Sequence, residues 1–505
     1  MGEEQLLIRA DASVVMGTGH VMRCLALAQA WQDDGGRAVC ATVAPASSVR
    51  ERLLKESVEM HEIPGPAGTR EDAVQTSVLA REQEAAWVVV DGYQFGADYQ
   101  QALRSAGLKV LFLDDYGHAG HYCADVVLNQ NLSADVSAYK SRENYARLFL
   151  GPKYCLLRRE FNAWRQWKRE IVPVGHRVLV TMGGSDPENF TARAIDALNL
   201  IEDDELEAAV VVGGSNTRFE MMERIAAKGG KKISLHRDIS NMAELMAWAD
   251  VAVSSAGTTC WEICLLGLPA VLVDVAENQT PVAQQLDRRG CAVHLGGPKD
   301  ISAQVLAKRT ESLLRSNEER QAMSSRCRAL VDGKGAERVV EVLRGVKLRL
   351  RPAHESDRHM LWEWANDSAV RAAAFSSAPI PWEEHQAWFA RKMKDPDCQI
   401  LIAEDGQGRA IGQFRADWRS SQDADIDLSL STEFRGGGYG RVLIDLGVRH
   451  ALAERGAVRL HAFVKPENLA SRRSFELAGF GALGEEYVNG QLAIHYVRSN
   501  QPEQE

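Results

Sequence analysis

The chain places glycine turns beside chemically active side chains at several points. The first is Gly17-Thr18-Gly19-His20-Val21-Met22-Arg23, which follows the apolar stretch Leu6-Leu7-Ile8 and the polar pair Arg9 and Asp11. Val21, Cys24, Leu25, Ala28 and Trp31 then recur at helical spacing. This reads as strand, glycine loop and helix N-terminus, which aims backbone N–H groups and the positive end of a helix dipole at one point and suits a phosphate. His20 falls in the first turn, and a histidine there is a candidate general base because its ordinary pKa lies near neutrality. Similar turns stand at Met182-Gly183-Gly184-Ser185-Asp186 and Ser254-Ser255-Ala256-Gly257, the latter followed by Glu262 and then Asn278-Gln279. A fourth, Arg435-Gly436-Gly437-Gly438-Tyr439-Gly440, lies near the end and suits a pyrophosphate. Read singly, each is equally a tight turn.

The elements that would position these groups are legible. Short apolar runs at Val39–Val43, Trp87–Val90 and Lys109–Leu113 read as buried parallel strands, with helices at Asp72–Gln83 and Asp98–Ala106 between them. Polar residues follow the strands: Asp91-Gly92-Tyr93, Asp114-Asp115 and Asn129-Gln130-Asn131. In an open α/β sheet those ends form the rim of a ligand cleft. A polar, aromatic stretch, Tyr154–Glu170, reads as a connecting helix, with a linker at Ile171–Gly175. A second alternation places strands at Arg177–Thr181, Leu206–Val212, Asp250–Ser254 and Ala270–Val273. A third part begins near Leu348. It has helices over residues 356–396, rich in tryptophan (Trp362, Trp364, Trp382, Trp388), most of them read as core packing, then strands at Gln399–Ala403, Ala410–Phe414, Asp425–Leu430 and Arg459–Val464. The expected class is α/β for two Rossmann-like halves, at 1–170 and 171–345, followed by an α+β domain at 346–500.

Composition narrows the function. The 505 residues are 45% hydrophobic and 25% charged, which is globular, and suffice for about three domains. A net charge of -10 gives no global basic field, so neither nucleic acid nor an anionic membrane is an expected partner. The start lacks a signal peptide, Leu6 stands where myristoylation wants serine or threonine, and no run is long enough to span a bilayer. Nine scattered cysteines without a CxxC pair point to reduced thiols, a cytoplasmic location and no zinc site. The sequence shows no internal repeat and leaves the oligomeric state open.

Two resemblances make the expectation specific. Residues 1 to about 340 resemble the UDP-sugar hydrolases of pseudaminic acid biosynthesis, similar in fold to two-domain, MurG-like (GT-B) glycosyltransferases. The match runs through Arg9-x-Asp11, Gly17-x-Gly19-His20-x-x-Arg23, Asp91-x-Tyr93, Leu113-Asp114-Asp115, Leu128-Asn129-x-Asn131, Leu157-Arg158-x-Glu160-Phe161, Met182 to Asp186, Ser254 to Gly257 with Glu262, and Asn278-Gln279. The resemblance implies metal-independent, inverting C–O hydrolysis of a UDP-linked diacetamido sugar. His20 would activate water and Tyr93 would sit near the sugar. Gly183, Gly184 and Ser185 would approach the diphosphate or uracil, Glu262 would hold the ribose, and Asn278 would contact the diphosphate or sugar. Arg9, Asp11, Gly17, Gly19, Arg23, Ser255, Gly257 and Gln279 complete the expected substrate site. The last 150 residues resemble the GCN5-related N-acetyltransferases, through Arg435-x-x-Gly438-x-Gly440 and Asn468-x-x-Ser471-x-x-x-Phe475-x-x-x-Gly479-Phe480. That resemblance implies acetyl-CoA as co-substrate. Its pyrophosphate would lie on Gly436–Gly440, its arm along the backbone of Leu428 and Leu430, and Asn468 near the pantetheine. Trp362-Glu363-Trp364 and Glu384-His385-x-x-Trp388 are most similar to nucleotide-sugar amine acetyltransferases.

Phe475 departs from the family's usual tyrosine, the acid for the leaving thiolate. Tyr439, Tyr496 or unaided departure would replace it, and the base that takes the amine proton would be Asp425, His385 or water. The combined expectation is a bifunctional enzyme making and hydrolysing a UDP-diacetamido sugar. Alternatives are a glycosyltransferase fused to an acetyltransferase, a hydrolase of the legionaminic route, and a nucleotide-sugar sensor.

Overall fold

The computed structural model describes residues 4–499 except 13–16, 44–46, 185, 187, 214, 215, 217, 238, 240, 346 and 456–458. These fall into two compact units, 1–340 and 341–505.

The first unit holds two parallel sheets. In one, strands β1 (Gln5–Ala10), β2 (Arg37–Thr42), β3 (Glu59–Glu62), β4 (Ala85–Asp91), β5 (Val110–Leu113), β6 (Val126–Asn129) and β7 (Arg147–Leu150) stand in the order β3-β2-β1-β4-β5-β6-β7. In the other, β8 (Arg177–Thr181), β9 (Glu207–Val212), β10 (Lys232–Arg237), β11 (Val251–Ser255), β12 (Ala270–Val273) and β13 (Val293–His294) stand as β10-β9-β8-β11-β12-β13. Central strands such as β1, β5 and β12 are buried at every position, because helices cover both faces; their unbroken apolar runs follow from that. In both sheets the strand order reverses beside the first strand, between β1 and β4 and between β8 and β11. Such switch points open a crevice at the C-terminal strand ends.

One expectation needs correcting, and two strands carry no sequence signal. Tyr154–Glu170 is not a connecting α-helix but two 3₁₀ turns, Pro152–Tyr154 and Arg159–Trp164, within extended chain. Its polar groups bond outward instead of along a helix: Arg159 N donates to Gln29 Oε1 at 2.8 Å, and Arg169 donates to the carbonyls of Met246, Ala249 and Leu266. The edge strands β3 and β10 carry polar, partly exposed residues, so an apolar run does not mark them.

The second unit is a mixed seven-stranded sheet. Its strands are β14 (Arg349–Pro352), β15 (Cys398–Glu404), β16 (Ala410–Trp418), β17 (Asp423–Leu430), β18 (Arg459–Val464), β19 (Gly481–Val488) and β20 (Gln491–Ser499), ordered β14-β15-β16-β17-β18-β20-β19. The β19–β20 hairpin escaped the sequence reading because β19 is exposed along nearly its whole length. Among the described residues only β17 and β18 run parallel, and they pair over Asp423–Asp425 before diverging. The helix Tyr439–Arg455 packs on β16 so closely that a Cβ on Gly447 would lie 2.3 Å from the Phe414 ring.

Candidate functional site

The switch points of the first two sheets face one cavity of about 480 Å³. β1 leads toward the turn at Gly17–Gly19, β4 ends on Asp91, β8 leads into Met182–Gly184 and β11 into Ser255–Gly257. A Cβ on Gly184 would lie 2.7 Å from Thr18 Oγ1, so the two turns can approach only because no side chain stands between them. The helices Gly19–Asp33 and Thr259–Leu266 point their N-termini at the same space.

His20 lies in the first turn of its helix and is 7% exposed, its ring edge against Tyr93 at 4.9 Å. Its Nδ1 is 2.7 Å from Asp91 Oδ1. Arg23 also grips Asp91, with Nε and Nη2 each 2.6 Å from a carboxylate oxygen. Burial alone would raise the pKa of Asp91, but Arg23 and His20 outweigh it and hold the carboxyl well below the ordinary range. An ionised carboxylate only accepts, so Nδ1 carries a proton, and in the neutral tautomer it is Nε2 that holds the lone pair. The 3.3 Å approach of Arg23 Nη2 to Nδ1 is then a close contact rather than a hydrogen bond. Among the described residues Nε2 has no partner, and His20 lines the cavity.

The network extends across the cleft. Arg23 Nη1 donates to Asp115 Oδ1 at 2.7 Å, Tyr93 OH donates to Asp115 Oδ2 at 2.8 Å, and Asn278 Nδ2 donates to Tyr93 OH at 2.7 Å. Burial pushes Asp115 upward, and Arg23 reverses that and keeps it ionised. On the opposite wall Arg158 Nη2 donates to Glu262 Oε1 at 2.8 Å. Burial raises Glu262 and Arg158 opposes the rise.

Of the sequence-predicted residues, the structure gathers Gly17, Gly19, His20, Arg23, Tyr93, Gly183, Gly184, Ser255, Gly257, Glu262, Asn278 and Gln279 on this cavity. It does not bring Arg9 or Asp11 there. Arg9 is fully buried, bidentate to Asp72 at 2.9 and 3.0 Å and 2.7 Å from Asp11, while Asp11 also accepts from Val43 N at 2.7 Å. Ser185 lies outside the described residues. Sequence reasoning assigned no role to Arg158, Arg52 or Lys55, which also line the cavity; nothing in the helix Ser47–Lys55 distinguishes its cleft face from solvent. One trio of metal-capable side chains, His121, Cys123 and Glu143, has its ligating atoms within 4.8 Å of one another, and none of the three lines this cavity.

The second unit holds its own cavity of about 610 Å³, where β17 and β18 part. Ser431 N donates to Ile411 O, so the odd-numbered amides of β17 face β16 and the even-numbered ones face the gap. Leu428, Asn468, Ser471 and Phe475 line this cavity. Leu430, Arg435, Gly436, Gly438, Tyr439 and Gly440 do not. Arg435 instead braces the turn, with Nε donating to Leu430 O at 3.0 Å and Nη1 to Asp367 at 2.7 Å. Gly436 and Gly438 take φ of +79° and +84°, which a side chain would strain. Asn468 Oδ1 caps its helix by accepting from Ser471 N at 3.2 Å. Of the expected thiolate acids, Tyr439 is buried against Phe434, and Tyr496 lies behind Phe475 and donates to Glu476 at 2.8 Å. Of the four tryptophans of the helical stretch, Trp388 lines the cavity.

Comparison with known proteins agrees with this division. Residues 347–481 match the acetyltransferase (GNAT) domain. Residues 177–339 match the glycosyltransferase family 28 C-terminal domain. The chain is a fusion of these two kinds of domain. An uncharacterised protein of Methanocaldococcus jannaschii is 24% identical over 497 residues, covering 94% of this chain and 96% of that one. The UDP-2,4-diacetamido-2,4,6-trideoxy-β-L-altropyranose hydrolase of Campylobacter jejuni is 26% identical over 293 residues, covering 57% of this chain and 98% of that enzyme. The crystal structure of Acinetobacter baumannii MurG is 18% identical and covers 68% of this chain and 99% of that one, with a TM-score of 0.49. Among the described residues no helix is long and apolar enough to cross a membrane.

Proposed function

We propose that residues 1–340 hydrolyse UDP from a UDP-linked diacetamido sugar, UDP-2,4-diacetamido-2,4,6-trideoxy-β-L-altropyranose, and that the acetyltransferase domain supplies its 4-acetamido group from acetyl-CoA. These are successive steps toward pseudaminic acid, and the fusion would serve both. The observation that carries the hydrolase reading is His20, with its proton fixed on Nδ1 by Asp91 and its Nε2 open to a cavity walled by glycine turns. Similarity to the Campylobacter enzyme across nearly its full length supports it.

In this reading Nε2 takes a proton from water while the oxygen attacks the anomeric carbon and the C–O bond to UDP breaks. The Asp91 carboxylate faces the positive charge that forms on the ring. UDP is a good leaving group, so one positioned base suffices, unlike the two carboxylates of ordinary glycosidases. Backbone N–H groups at Gly17–Gly19, Gly183–Gly184 and Gly257 would take up the diphosphate charge, with Ser255 beside them. Glu262, held by Arg158 through one oxygen, would offer the other to the ribose. Asn278 and Gln279 would face the diphosphate or sugar, with Tyr93 near the sugar ring. Arg9 and Asp11 would act by holding the first sheet rather than by touching substrate.

In the acetyltransferase domain, the gap between β17 and β18 suits the amide-bearing arm of acetyl-CoA, which would add there like a strand. Leu428 would offer free backbone groups and the turn at Gly436–Gly440 would hold the pyrophosphate. The match to glycosyltransferase family 28 favours a second reading, sugar transfer to an acceptor. Incubating the protein with acetyl-CoA and a UDP-4-amino sugar in ¹⁸O water, without acceptor, separates the two. Mass spectrometry and NMR should show the acetylated UDP-sugar, then UDP and free inverted sugar carrying ¹⁸O. Acetylated UDP-sugar that persists until an acceptor is added would overturn hydrolysis.

A further inference from the structure

In the acetyltransferase domain we infer that His385 is the base that takes the amine proton, through Nδ1. This rests on the reading that the domain transfers acetyl to an amine. His385 lies on the helix Trp382–Lys392, is 3% exposed, and lines the cavity at the β17–β18 gap. Its Nε2 stands 3.0 Å from Arg358 O. A backbone carbonyl only accepts, so Nε2 carries the proton and Nδ1 keeps the lone pair. Among the described residues Nδ1 has no hydrogen-bond partner, and it is not among the sealed, unpartnered atoms of the core. Rings of Trp388 at 5.4 Å and of Trp382 and Phe389 at 6.2 Å hold the imidazole in place.

The charged surroundings favour a neutral ring. Burial lowers the pKa of His385, and the Arg358 guanidinium adds to that against the hydrogen bond to the Arg358 carbonyl. From other elements, Arg371, Arg415, Asp427 and Lys465 line the same cavity, with Glu384 exposed on the histidine's own helix. Arg415 Nη2 donates to Asp427 at 3.2 Å, Lys465 donates to Ala372 O at 2.9 Å, and Arg371 donates to backbone carbonyls. Asp425, the other side chain considered for this role, is held by Arg419 at 2.7 Å and does not line the cavity.

The step balances without a further reagent. The amine nitrogen bonds to the thioester carbonyl carbon, the C–S bond breaks, and the sulfur leaves with the electron pair. Nδ1 takes the nitrogen's proton, and solvent exchange returns it to the thiolate, giving amide and free thiol.

The test uses the full chain with acetyl-CoA and a UDP-4-amino-4,6-dideoxyhexosamine, following thiol release, together with ¹⁵N NMR of the imidazoles. For H385Q we expect about a 100-fold lower kcat, with acetyl-CoA affinity within twofold and an unchanged melting temperature. In the wild type the NMR should show a neutral His385 with its proton on Nε2 at pH 7. If H385Q does not fold, H385N and the wild-type spectrum decide. Transfer by H385Q within threefold of wild type, or a proton on Nδ1 at pH 7, would overturn the assignment alone. A wild type that acetylates no amine would overturn the acetyl-transfer reading and the role of His385 with it.

Discussion

The two cavities each contain one buried histidine, and the two are anchored in opposite ways. His20 gives its Nδ1 proton to an ionised aspartate that Arg23 also holds. His385 gives its Nε2 proton to a neutral backbone carbonyl, among aromatic rings. A carboxylate partner meets the charge that a proton transfer creates, which suits extracting a proton from water. A carbonyl partner fixes the tautomer without supplying a counter-charge, which suits a group that takes a proton from a more acidic species and releases it quickly. The lesson is that the atom behind the imidazole tells more about its task than the imidazole does.

The comparison breaks most sharply at His20. In H20A, UDP release should fall by a factor of about 10³, while acetyl transfer stays within twofold; parallel loss of both would show that the two sites are not separate. D91N should come next. It removes the tautomer lock and leaves Arg23 buried with a weaker partner, so kcat should drop about 100-fold and the first unit should lose about 3 kcal/mol in denaturant unfolding. An unchanged kcat would remove Asp91 from the mechanism. In G447A the new methyl would meet the Phe414 ring, costing the second unit about 1–3 kcal/mol. Acetyl-CoA binding should weaken on warming while UDP release keeps its temperature dependence. The smallest effect concerns His118, whose Nδ1 lies 3.3 Å from Asp114. Burial works against its charged form, but Asp114 prevails and raises its pKa above the ordinary value of about 6.5. A histidine raised on folding stabilises fully below the unfolded pKa and loses that contribution as pH rises through the folded one. H118Q should therefore lower stability at pH 5.5 and make little difference at pH 9, read from urea midpoints at both.

The α/β class and most strands were legible because strands buried on both faces print continuous apolar runs, as in Leu6-Leu7-Ile8 and Ala270–Val273. The glycine turns of the first unit were legible as a cleft because the order of strands fixes where their ends go. Other features were not. The partnership of His20 with Asp91 joins residues 71 apart in sequence and depends on β1 lying beside β4. Arg9 was expected at the substrate site through the resemblance of Arg9-x-Asp11 to the hydrolase family, yet Asp72, 63 residues away, holds it in the core. In the acetyltransferase domain, the motif Arg435–Gly440 was visible as a turn, but the bracing of Leu430 and Asp367 by Arg435 was not. Trp388 could not be told from its neighbours Trp362 and Trp364, since sequence spacing does not show which helix face meets a cavity.

The three-residue pairing of β17 with β18 has a consequence for the timing of amide exchange. The even-numbered amides beyond Ile426 have no strand beside them on that edge, so that of Leu428 should exchange with deuterium far sooner than amides of the fully paired β16. A molecule that fills the gap would supply the absent partners, and those few amides should slow while the rest of the sheet keeps its clock.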